Sequence, residues 1–270
     1  GHMIKGFQYV TPPAKLGFSL VELSIVLVIL GLLVGGILTG QSLIRAAELR
    51  SVTTEFSQYQ TAVMTFKDKY FALPGDMRNA TDFWGADPDG CPGTAADGSD
   101  TKATCNGDGN GQIESVANSA GSQEHLRFWQ QLANAGLIEG TYAGVPGVGN
   151  STEPLIYSRN VPGSKLSNAF WFIQHWGDLA GDGTRFAGSY GHTFQFGART
   201  QTSSNSTDVL TPEETWNIDT KIDDGQAGIG RMVVRGWNEC TLASANTETD
   251  AAYDLQNTDI VCLILFRNAF

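Results

Sequence analysis

The stretch Asn106-Gly107-Asp108-Gly109-Asn110-Gly111-Gln112-Ile113-Glu114 places oxygen-bearing side chains at 106, 108 and 110, ahead of a glycine and an acid. Alternating amides and carboxylates, followed by a residue that permits a sharp turn, suit the coordination of a hard cation, and calcium is the cofactor expected. Asp87 and Asp89, earlier in the same acidic, Gly-rich segment, can complete the set with Glu114. A full EF-hand closes on a bidentate Glu at its twelfth position, and here that place is Ala117. Asn, Asp and Gly also favour plain turns. A calcium loop and an ordinary solvated turn therefore both stand.

No pattern of catalysis accompanies this loop. The chain lacks a Gly-x-Ser-x-Gly elbow, a P-loop, a His-Glu-x-x-His helix and a dinucleotide fingerprint. His125 has no catalytic partner nearby in sequence and reads as structural. An enzyme is not expected. With 28 acidic against 17 basic residues the net charge is −11. There is no basic stripe, so direct nucleic-acid binding is not expected either.

Four cysteines, Cys91, Cys105, Cys240 and Cys262, suit an oxidising compartment. They admit three connectivities, which sequence alone does not separate. The local scheme, Cys91–Cys105 with Cys240–Cys262, is the expected one, because each pair encloses a short turn-rich loop. A zinc site is the weaker alternative, since no Cys-x-x-Cys spacing exists and the four histidines are scattered.

The other residue that raises a chemical question is Glu22. It stands near the start of the apolar run "KLGFSLVELSIVLVILGLLVGGILTG", Lys15 to Gly40, and no further charge occurs from Leu23 to Ile44. That is about the ~20 residues that cross a bilayer as a helix. An ionised carboxylate in such a place is costly unless it is matched. Lys5 and Lys15 precede the run, so the N-terminus is expected on the cytoplasmic side and the bulk of the chain outside.

Gly17-Phe18-Ser19-Leu20-Val21-Glu22 resembles the prepilin signature of type IV pilins and type II secretion pseudopilins. The resemblance is specific from Lys15 to about Gly40. It implies an α+β, pilin-like fold, in which a long N-terminal helix, transmembrane and then amphipathic, packs on a C-terminal antiparallel β-sheet head with long loops. It implies cleavage by a prepilin peptidase between Gly17 and Phe18 and methylation of the new amine. It makes Glu22 an assembly residue that pairs with the first amine of a neighbouring subunit. The partners implied are other pilin or pseudopilin subunits, the peptidase and an inner-membrane assembly platform. The location implied is a single pass through a bacterial inner membrane with a periplasmic head, and then a filament. Many major pilins carry a proline where this chain has Thr39. That departure, with the large head, favours a minor pilin or pseudopilin. An adhesin or other binding module displayed on a pilin stalk is the alternative function.

These residues require elements to carry them. A leader is expected over 1–17, its first three residues resembling a cloning scar, with a membrane and assembly helix over 18–40. An amphipathic continuation follows over 41–72 and an exported head over 73–270. Val52, Phe56, Tyr59, Val63, Phe66 and Tyr70 recur at intervals of three and four, which marks one apolar helical face. Pro74 and Gly75 should end that helix. A second helix is expected over 122–136, capped by Ser122 and stopped by Gly136. The runs "AFWFIQHW", "TFQFGART", "GRMVVRGW" and "DIVCLILF" read as strands. The acidic turn Asp178 to Thr184 reads as a hairpin connection rather than a metal site.

Overall fold

The computed structural model describes residues 17, 19–91, 102–114, 123–145, 159–198 and 207–270. Phe18, Ser122 and the leader before Gly17 lie outside the described residues. The chain divides into two compact units, one ending at Ala46 and the other running from Ala47 to Phe270. The first helix, α1 (Leu20–Tyr70), contributes to both.

In the first unit α1 is long and apolar enough to cross a membrane. Its large apolar residues, from Leu20 to Ile44, are all exposed. The run is rich in Val and Ile and includes Gly31, Gly35, Gly36 and Gly40, none of them good helix formers in water. In hydrocarbon the helix satisfies every backbone group internally, and that requirement outweighs propensity. Thr39 stays within the helix and donates its hydroxyl to the Gly35 carbonyl at 3.0 Å.

In the second unit α1 buries the expected stripe of Val52, Phe56, Tyr59, Val63 and Phe66, joined by Ala62 and Glu55. Tyr70 is only partly buried against the core. The helix stops at Tyr70. Phe71 has positive φ (53°), and Gly75 follows with φ of 86°. A side chain at Gly75 would strike the Glu124 carbonyl, so the close approach of this turn to the helix beginning at Glu124 requires glycine.

The head is an α+β unit around one four-stranded antiparallel sheet in the order β1-β2-β4-β3. Strands β1 (Ala169–Leu179) and β2 (Gly188–Ala198) form a hairpin pair. The acidic turn between them is the predicted connection, tied by an Asp182–Arg185 ion pair at 2.6 Å. Strand β4 (Leu263–Phe266) lies between β2 and β3 (Met232–Arg235). Register pairs Trp171 with Phe196, Phe194 with Phe266, and Val234 with Ile264, so these side chains share a face. That face meets α1. Phe56 stacks on Phe266 at 4.2 Å, and Tyr59 meets Trp171 edge-on at 5.6 Å. The opposite face carries a smaller cluster of Tyr190, Val233, Leu263 and Leu265.

Among the described residues four helices complete the head: α2 (Ala80–Trp84), α3 (Glu124–Asn134), α4 (Pro212–Ile222) and α5 (Trp237–Cys240). Helix α3 is the expected second helix, and Gly136 (φ 72°) terminates it. Helix α4 was not anticipated, although its signal is local. Thr211 accepts from the Glu214 N–H at 3.3 Å while Glu214 accepts from the Thr211 N–H at 3.1 Å, and Pro212 opens the first turn. Thr-Pro-Glu-Glu is thus a capping box legible in the sequence.

Candidate functional sites

The first candidate is the N-terminal end of α1. Glu22 accepts the backbone N–H of Ser19 through Oε2 at 2.8 Å, and the Ser19 hydroxyl oxygen accepts the N–H of Val21 at 3.3 Å. The carboxylate therefore sits at the positive pole of the helix, where negative charge is favoured. It is exposed, and it is the only acid among residues 19–47. Gly17 precedes the helix and is also exposed. The local geometry places a carboxylate at the end of an apolar rod, five residues on from Gly17 in the sequence.

The second candidate is the acidic loop of the head. The structure brings Asp108 together with Asp76 and Glu124, one carboxylate oxygen of each lying within 4.8 Å of the others. Asp76 and Glu124 are buried and were not among the expected ligands. All six carboxylate oxygens here accept hydrogen bonds. Asp76 takes the N–H groups of Asn110 (3.1 Å) and Gly111 (2.9 Å), and Glu124 those of Asp108 (3.2 Å) and Glu114 (3.3 Å). Asp108 takes the Asn110 N–H at 3.0 Å and its side-chain amide at 3.2 Å. Burial pushes the Glu124 carboxyl up to about 8, and the nearby Asp76 and Asp108 charges add to the rise against the two N–H donors. Burial also raises Asp76.

The remaining expected ligands are placed elsewhere. Asn106 accepts the Thr81 N–H through its amide oxygen at 2.9 Å. Asp87 pairs with the buried Arg127 at 2.8 Å. Asp89 is exposed, and its N–H donates to Asp87 at 3.1 Å. Glu114 has one buried oxygen, Oε2, without a hydrogen-bonding partner. Spacing within one loop singles out Asp108 and Asn110, of which Asp108 lies in the carboxylate cluster. It could not reveal Asp76 or Glu124, which arrive from the end of the α1 turn and the start of α3.

Cys91 is joined to Cys105 and Cys240 to Cys262. The first disulfide anchors the acidic segment beside Arg127, whose guanidinium donates to Cys105 Sγ at 3.1 Å. The second ties α5 to the residue before β4. His125 is buried, donates through Nδ1 to the Glu114 carbonyl at 3.1 Å and packs on Phe172 at 5.4 Å. Desolvation lowers its pKa to about 4. It is a structural histidine in a neutral form.

No curated protein and no solved structure matches the chain. A family model described as the prokaryotic N-terminal methylation motif matches residues 13–38. That span covers the basic leader end, Gly17, Phe18, Glu22 and the apolar first part of α1, and so the chain carries the type IV prepilin and pseudopilin signature.

Proposed function

We propose that the protein is a non-catalytic structural subunit, a minor pilin or pseudopilin, of a type IV pilus or type II secretion filament. The observation that carries this reading is the methylation motif at 13–38, reaching into the start of a helix whose large apolar side chains from Leu20 to Ile44 are exposed and whose only acid over that stretch is Glu22. In this reading the leader is removed between Gly17 and Phe18, and the new amine is methylated. The apolar part of α1 holds the subunit in the inner membrane, with the N-terminus cytoplasmic and the head periplasmic. On assembly, the helices bundle, and Glu22 pairs with the amine of a neighbour. A carboxylate that is costly in hydrocarbon when alone is tolerated once matched, so the pairing selects register. Mass spectrometry of protein from its native membrane should show a chain beginning at N-methylated Phe18. Glu22→Ala should leave the head folded and abolish filament entry. An intact leader, or normal assembly of the variant, overturns the reading.

A second reading, a binding module on a pilin stalk, is favoured by one feature of the head. Phe71 is 93% exposed beside a groove lined by Lys67, Tyr70, Arg78 and Asn79, with exposed Phe83 against Tyr70. Loss of surface adhesion by Phe71→Ala in cells with intact filaments would support it.

A further inference from the structure

We propose that Asp219, Asp223 and Asp224 form a binding site for one divalent cation of the calcium class at the C-terminal end of α4. One carboxylate oxygen from each lies within 4.8 Å of the other two. Asp219 is fully buried, and its Oδ1 has no hydrogen-bonding partner. Its Oδ2 accepts the Tyr253 hydroxyl at 2.7 Å. Asp223 Oδ2 accepts the N–H groups of Arg231 and Met232, and Asp224 Oδ1 accepts that of Gln226 at 2.8 Å. Each carboxylate is thus oriented by a donor on one oxygen. This differs from the Asp76–Asp108–Glu124 group, where donors reach all six oxygens.

Three acids meeting at one point repel one another, and among the described residues none forms an ion pair with Lys or Arg. Arg231 lends only its backbone, since its guanidinium lies over the Phe56 ring at 5.9 Å. A buried, partnerless carboxylate oxygen is expensive, and a cation at the convergence satisfies it. The end of α4 adds the negative pole of the helix, which attracts positive charge. The ligand set is oxygen only, which selects a hard ion over zinc or copper. Two of the acids sit on a loop beyond the helix, where irregular geometry suits calcium better than the strict octahedron of magnesium. Gly230 lies against Asp223 and Asp224, where any side chain would collide with their carboxylates. Bound calcium would clamp the α4–β3 loop, Asp219 and Tyr253 into one unit.

The test uses the full chain in detergent micelles, stripped with chelator. Trp216 lies beside Gly225, with its indole nitrogen 3.6 Å from where a Cβ there would stand, so terbium at the site should luminesce on tryptophan excitation. Calcium should displace the terbium and raise the melting temperature, with magnesium much weaker. Asp224→Asn, at an exposed position, should weaken binding about tenfold or more. Asp219→Asn should abolish the calcium response yet melt higher than wild type in chelator, because the amide removes a buried like charge. Trp216→Phe should lose the luminescence and keep the calcium-induced rise, and Asp108→Asn should keep both. The proposal fails if wild type shows neither signal, or if Asp224→Asn responds like wild type while Asp108→Asn does not respond.

Discussion

Trp171 donates its indole N–H to Glu55 at 2.8 Å, across 116 residues of chain. Glu55 stands on the buried face of α1, and its second oxygen accepts the Lys165 N–H at 2.9 Å. This carboxylate therefore serves two donors between the helix and β1. Glu55→Ala would leave the Trp171 indole unpaired in the core and the part-buried Lys165 N–H without this acceptor, and should cost about 2–4 kcal/mol of stability. Glu55→Gln, which keeps one acceptor, should recover part of it. Urea unfolding monitored by tryptophan fluorescence decides between them.

The Arg127–Asp87 pair makes a second prediction. Arg127 is fully buried and Asp87 partly so, and the guanidinium also donates to Gln130 at 2.9 Å. Removing Asp87 takes from a buried cation the carboxylate it pairs with at 2.8 Å. Asp87→Ala should destabilise the head by roughly 3–5 kcal/mol, and Asp87→Asn by less. Equal stability of the two variants and wild type in chemical denaturation would refute the role of the ion pair.

The two disulfides should differ in accessibility. Cys240 and Cys262 are both fully buried, whereas Cys91 is exposed. Graded reductant under native conditions should open Cys91–Cys105 first, as read by alkylation and peptide mass spectrometry. Each closes a loop for which the chain-entropy model gives about 3 kcal/mol. Cys240→Ala with Cys262→Ala should lower stability by at least that much, since two buried sulfurs are also lost from the core.

Stability should carry two opposed pH signatures. His125 has a native pKa near 4, below its ordinary 6.5 because of burial. The unfolded chain then takes up the proton first, so this contribution is complete above pH 6.5 and lost as pH falls towards 4. Burial instead lifts Glu124 from 4.5 to about 8. Its contribution is complete below pH 4.5 and lost as pH rises towards 8. Glu124→Gln should therefore melt higher than wild type at pH 8, with the advantage shrinking towards pH 4.5. His125→Gln should flatten the acid limb. Melting curves of the three proteins between pH 4 and 8 measure both effects.

What was legible in the sequence lay in local repeats. The uncharged run after Glu22, the three-and-four spacing from Val52 to Phe66, and the four apolar strand segments are each set by neighbours a few residues apart. Helix, apolar run and strand depend mainly on such neighbours, so their positions could be read directly. Even α4 has a local signal, the Thr211–Glu214 capping box. The carboxylate cluster around Asp108 has none. Asp76, Asp108 and Glu124 are brought together by the turn after α1 and the start of α3, and Asp87 is drawn to Arg127 on α3. Asp219 does lie near Asp223 and Asp224 in sequence. That its Oδ1 lacks a hydrogen-bonding partner is nonetheless a tertiary outcome, since the Met232 N–H of β3 goes to Asp223 and the Tyr253 hydroxyl to the other oxygen of Asp219. Strand order is equally a tertiary outcome. Strand β4 enters between β2 and β3 because its Phe266 must pack on Phe56 while Ile264 and Leu265 fill opposite faces of the sheet. Local spacing decides which face of an element is apolar, and only burial against distant elements decides which polar groups share a place and which are left without a partner.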